Sequence, residues 1–107
     1  MALIILQKLS PNPAILGEET VFKIGHNQAG KNLIAEIEVF DTQGRSVRLL
    51  SAEFTASGNN FEGIRWDGAS SGGSQLTPGI YVYRVSLTDR ESGNEVNSYN
   101  RMVWIRQ

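Results

Sequence analysis

The sequence has no cysteine, a single histidine and only three prolines among 107 residues. Without thiols there can be no disulfide, no thiolate metal site and no cysteine nucleophile, and cysteine usage cannot assign a redox compartment. Charge of one sign is also scarce: ten basic residues balance eleven acidic ones, for a net charge of -1. No basic stripe is left to track phosphates, so no nucleic-acid partner is expected. Long hydrophobic runs are missing too. The apolar part of MALIILQKLSPNP lacks the basic flank and length of a secretory leader and is far too short to span a membrane. The chain reads as a single domain, 1–107, excised from a longer protein, with Met1-Ala2 as an added start.

What is present suits a globular fold. Hydrophobic residues make up 40% of the chain and charged residues 20%, and a chain of this length buries roughly two thirds of its unfolded surface. The dominant pattern is alternation with a period of two residues, and no window sustains helical spacing. Strands are expected at Leu3–Leu9, Thr20–Ile24, Leu33–Phe40, Arg45–Phe54, Phe61–Trp66, Gly79–Thr88 and Glu95–Arg106. Phe22 and Ile24 share a face, as do Ala35, Ile37 and Val39, while Glu36 and Glu38 take the wet side. Val47 and Leu49 point inward if Arg48 points out. Ile64 pairs in phase with Trp66, and Tyr81, Tyr83, Val85 and Leu87 lie together. The last strand carries apolar groups on both faces, Met102 and Trp104 against Val103 and Ile105, so pattern leaves its register open. Asp41-Thr42-Gln43-Gly44 reads as a hairpin turn with Gly44 at positive φ. Seven short strands with turn signals between them make the fold all-β, a seven-stranded immunoglobulin-like β-sandwich with Greek-key connections.

Chemistry-bearing patterns are thin. His26 falls in a polar loop, His26 to Asn32, where an exposed imidazole without function is the simpler reading. Glu36/Glu38 is explained by strand alternation and Asp89/Glu91 by a turn, which leaves little for carboxylate catalysis. Asp67 with Ser70 and Ser71 supplies one carboxylate, too few for a strong calcium site. Ser71-Gly72-Gly73-Ser74-Gln75 is glycine-rich but has no lysine and leads into a strand, so it lacks both requirements of a phosphate-binding loop. It reads instead as a connector. Asp67 makes an Asx-type turn, Gly68, Gly72 and Gly73 allow positive φ, Leu76 plugs the core, and Pro78-Gly79 forms a type II turn. No catalytic residue, cofactor or metal is expected.

Three separated pieces form one pattern: Ser10-Pro11-Asn12-Pro13-Ala14, Val39-Phe40-Asp41-Thr42-Gln43-Gly44-Arg45-Ser46-Val47, and Trp66-Asp67-Gly68 through Pro78-Gly79-Ile80-Tyr81-Val82-Tyr83-Arg84. In this order they resemble the immunoglobulin-like repeat named after the flagellar hook-capping protein FlgD, and the C-terminal domains of type IX secretion proteins, among them the domain of that system's sortase. The WDG segment is more typical of the hook-capping relatives than of the sorting domains. The resemblance implies a non-enzymatic folded address at the end of a larger protein, such as a cysteine-peptidase-like sortase or another hydrolase. It implies passage through the periplasm to the outer-membrane surface or the medium. The implied partners are the outer-membrane translocon and its PorV-type shuttle barrel. On the same basis the recognition surface falls on the last two strands, at Gly79, Tyr81, Tyr83, Arg84, Arg101, Met102, Val103, Trp104, Ile105 and Arg106. Two other readings stay open: an immunoglobulin-like spacer of an extracellular or flagellar assembly, and a carbohydrate-binding module stacking sugars on Trp66, Tyr81, Tyr83 or Trp104.

Overall fold

The structure is a computed structural model that describes residues 5–10, 14–15, 19–26, 30–55 and 60–105, with side chains over 19–26, 30–55 and 64–105. Within these residues the chain forms eight strands and no helix: β1 (Ile5–Ser10), β2 (Ala14–Ile15), β3 (Thr20–His26), β4 (Asn32–Phe40), β5 (Ser46–Thr55), β6 (Asn60–Trp66), β7 (Gly79–Asp89) and β8 (Glu95–Ile105). They build two sheets, ordered β1-β3-β6 and β2-β8-β7-β4-β5. The expected count of seven misses β2, two residues that pair in parallel with Trp104 and Ile105. Two prolines separate β1 from β2. Proline cannot donate to a ladder, so the first extended segment breaks there and its two parts join different sheets.

The sheets face one another across an apolar layer. Phe22 and Ile24 of β3 and Ile64 and Trp66 of β6 meet Leu33, Ala35, Ile37, Val39, Tyr81, Tyr83, Val85, Leu87, Met102 and Trp104 from the larger sheet. Two edge-to-face aromatic pairs cross the layer, Phe22 with Tyr83 and Trp66 with Trp104, both at 5.2 Å between ring centroids. Such pairs add about 0.5–1.5 kcal/mol to what burial alone supplies. The alternation that placed these residues on one face in sequence is therefore the alternation that fills the core.

On β5 the expected phase is half right. Val47 packs against the core, but Leu49 is 52% exposed, and Leu50, Ala52 and Phe54 turn inward instead. The cause is a β-bulge. Val39 pairs with Arg48 and Phe40 with Ser46, which leaves Val47 as an extra residue and shifts every later side chain by one face. His26 is a second correction, because it belongs to β3 and is buried, not displayed on a loop. Its ring lies 6.0 Å from that of Phe54. The remainder of the expected polar loop at 27–29, the loop at 56–59 and Arg106 lie outside the described residues.

Candidate interaction surface and its supporting loop

The glycine-rich connector between β6 and β7 is held by its own backbone. The Asp67 carboxylate accepts the Ala69 amide at 3.0 Å, the expected Asx turn, and the Trp66 indole N–H donates to the Ala69 carbonyl at 2.8 Å. Ser70 and Ser74 pair, Gly73 donates back to Ser70, and Leu76 donates to Gly68. Leu76 packs against the core as expected. The bulge on β5 anchors the far side: the Val47 carbonyl accepts the Ser71 amide at 2.9 Å, and Arg48 reaches the Ser70 carbonyl at 3.1 Å. An irregularity in one strand thus supplies the acceptor that fixes a loop more than twenty residues later.

Two details of the expected turn chemistry change. Gly68 and Gly73 have positive φ, +90° and +88°, but Gly72 does not. Gly79 has φ +151°, well away from the roughly +80° of a type II turn. It is the first residue of β7. The turn before it is closed by a side chain, since the Tyr81 hydroxyl donates to the Thr77 carbonyl at 2.7 Å.

The connector, the Asp41–Arg45 turn and the start of β7 enclose a cleft of about 490 Å³ lined by Asp41, Arg45, Ser70, Gln75, Thr77 and Tyr81 among others. Its carboxylate is already committed. Asp41 accepts the backbone amides of Arg45 and Gln43 and pairs with the Arg45 guanidinium at 2.8 Å. The Arg45 amide bond, first among these contacts, holds the Asp41 carboxyl below its ordinary range. The group is an ionised turn-former, unsuited to accepting a proton near neutrality. Elsewhere the Glu91 amide does the same for Asp89, whose carboxylate also meets Lys31 at 3.5 Å. Among the described residues, no three His, Cys, Asp or Glu side chains converge as a metal-holding group.

Of the residues expected to form a recognition surface, the structure puts Tyr81, Tyr83, Met102 and Trp104 in the core, at 6% exposure or less. Each such side chain contributes roughly 1.5–3 kcal/mol by being buried, so exposing it to a partner would dismantle the sandwich. These four are corrected from contact residues to core residues, and the same burial removes Trp66, Tyr81, Tyr83 and Trp104 as a sugar-stacking platform. The register of β8 is settled by this packing: Met102 and Trp104 point in, while Arg101, Val103 and Ile105 point out. Arg84 also points out and pairs with Glu38 at 2.9 Å.

The outward face carries residues that sequence reading missed. Ile80 sits opposite Val103, Val82 opposite both Arg101 and Phe40, and Arg84 opposite Tyr99. Ile80 is 51% exposed, Tyr99 65% and Ile105 40%. Ile80, Val103 and Ile105 form an apolar end to the outer face of the larger sheet, bordered by Arg101, with Tyr99 beyond it beside the Arg84–Glu38 pair. The signal for it was present in PGIYVYRV, where Ile80 and Val82 alternate with the tyrosines, but the aromatic residues drew attention to the wrong parity.

No family model and no curated protein matches the chain. Among solved structures it is similar to dimeric latent PorU from Porphyromonas gingivalis, with 30% sequence identity and a TM-score of 0.83. That alignment covers 100% of this chain and 10% of the PorU chain. The likeness is therefore one of a domain: over its whole length this chain is similar in fold and sequence to about a tenth of PorU.

Proposed function

We infer that the chain is a non-catalytic sorting and anchoring domain of a type IX secretion protein, which directs its parent across the outer membrane and docks there on a barrel partner of the PorV type. The observation that carries this reading is the full-length likeness to a domain-sized part of PorU, together with the motif resemblance spread from Ser10 to Arg84. The finer fold assignment belongs to the same reading. The chain crosses between sheets at β1–β2, β2–β3, β3–β4, β5–β6 and β6–β7, in the manner of Greek-key immunoglobulin-like sandwiches. The Tyr81–Thr77 bond resembles the tyrosine corner of that fold, placed near the start of the corresponding strand. In this view the parent is a sortase or another hydrolase, and the domain passes through the periplasm before reaching the cell surface.

The docking surface consistent with the packing is the outer face at Ile80, Arg101, Val103 and Ile105, which presents apolar area beside a cation. The test is export of a periplasm-targeted reporter fused upstream of the chain in a bacterium with a type IX system. Surface display that depends on the translocon supports the reading, and retention in the periplasm with the domain folded opposes it. Removing Val103–Gln107 is a poor probe, because it takes Trp104 out of the core.

A further inference from the structure

Among the described residues, the large apolar side chains that stand exposed all lie on one face. Leu49, Ile80, Tyr99 and Ile105 are between 40% and 65% exposed, and all four point to the outer side of the larger sheet. Strand pairing gives their neighbours: Ile80 is opposite Val103, Val82 is opposite Arg101 and Phe40, and Arg84 lies between Tyr99 and Glu38, which in turn is opposite Leu49. Two residues further along the strands, the row Asn97, Ser86, Glu36 and Ser51 is wholly polar. The apolar area therefore stops halfway down the sheet, and one cation is set into it. Among the described residues Arg101 is the arginine whose side chain meets no acceptor of its own chain: Arg45, Arg65, Arg84 and Arg90 are in ion pairs and Arg48 holds the Ser70 carbonyl.

We propose that this strip seats one segment of the protein partner that presents a carboxylate to Arg101, flanked by apolar side chains that cover Ile80, Val82 and Val103, a reading of the partner that rests on the export role above. Arg101 has Val82 beside it and Tyr99 and Val103 on the same face of its own strand. Anything laid over these residues excludes water from the guanidinium, which then needs an acceptor. An apolar segment would leave the charge stranded and a basic one would repel it, whereas a carboxylate takes its N–H groups in pairs. The ion pair Arg84–Glu38 is neutral in sum, so Arg101 sets the sign that the strip selects. Size argues for a single segment. From Tyr99 to Ile105 the strip is about 20 Å long and, across two strands, about 10 Å wide. That is on the order of 200 Å², against about 800 Å² per partner where two folded surfaces associate stably. A bilayer is a poorer occupant, because one arginine adds only about 1 kcal/mol of attraction to an anionic surface.

Binding of the chain to a purified PorV-type barrel in detergent micelles measures this. Arg101→Glu should raise Kd about tenfold or more. Arg65→Glu makes the same change of net charge on the other sheet and should leave Kd where it was. Both arginines are exposed, so the unfolding midpoints of the two variants should stay close to the parent's. Among barrel variants in which single Asp or Glu residues become Lys, one should weaken the parent chain and restore the affinity of Arg101→Glu. A Kd indifferent to Arg101→Glu, an equal loss from Arg65→Glu, or a set of barrel variants none of which restores binding would each overturn the proposal. Self-association of the isolated chain, or attachment to phosphatidylglycerol vesicles, that Arg101→Glu abolishes would also overturn it, by giving the strip to a second copy or to lipid. A parent chain that does not bind the barrel would remove the docking partner of the export reading and this proposal together. A parent that binds while Arg101→Glu binds equally well would remove this proposal alone.

Discussion

Gly68 abuts the six-membered ring of Trp104: a Cβ built on it would fall 3.2 Å from two ring carbons and 2.9 Å from the Gln75 amide nitrogen. The WDG segment thus meets the final strand at the core's end, with Trp66 packed edge-on to the same indole. Motif residues separated by almost forty positions are joined by close packing.

Gly68→Ala should accordingly destabilise more than Gly73→Ala. Both positions have positive φ, but Gly73 opens onto free space. Strain alone costs roughly 1 kcal/mol, and the added contact with Trp104 should bring Gly68→Ala to about 2–3 kcal/mol. Urea unfolding of the two variants measures the difference, and equal losses would mean that the indole does not constrain the glycine.

The bulge at Val47 makes a sharp prediction about neighbouring leucines. Leu49→Asp should change stability by no more than about 0.5 kcal/mol, whereas Leu50→Asp should cost several times as much, because Leu50 packs against the core. The reverse order would restore the regular alternation that sequence alone suggested.

Tyr81→Phe removes the hydroxyl that donates to the Thr77 carbonyl while leaving the ring in place. A loss of about 0.5–1.5 kcal/mol is expected in denaturant titration. An unchanged midpoint would show that water replaces the bond at no cost.

His26 should make stability fall in mild acid. Burial lowers its pKa from the ordinary value of 6.5, so the unfolded chain takes up a proton before the folded one does. The contribution is absent above pH 6.5, grows as pH falls through that value toward the folded pKa, and is constant below it. His26→Gln should flatten the slope below about pH 6.5. A parent slope that survives the substitution would assign the effect elsewhere.

Much of this fold was legible because strand alternation reports burial directly. Phe22 with Ile24, Ala35 with Val39, and Tyr81 with Leu87 fell on the core side as their periodicity required. What escaped were departures from period two and choices between equally apolar faces. The extra residue at Val47 cannot be seen in a run such as SVRLL, where one phase buries Val47 and Leu49 and the other still buries Leu50. In β8 both parities are apolar, and only the indole and thioether volumes of Trp104 and Met102, filling the layer opposite Trp66, decide which is inside. The candidate surface followed the same error: aromatic density pointed to Tyr81 and Tyr83, while the exposed area lies one residue away at Ile80 and Val82. The connector was read correctly as architecture, yet its anchorage on the Val47 carbonyl depends on the bulge and so was hidden with it.

The most direct test of the sorting role is surface display of a reporter fused to the chain carrying Ile80→Asp, measured beside the unfolding midpoint of the same variant. Ile80 is 51% exposed and faces outward opposite Val103, so the domain should remain folded while display falls severalfold and the fusion accumulates in the periplasm. Display equal to that of the unaltered fusion, from a variant with an unchanged midpoint, would contradict the assignment of this face to the outer-membrane partner.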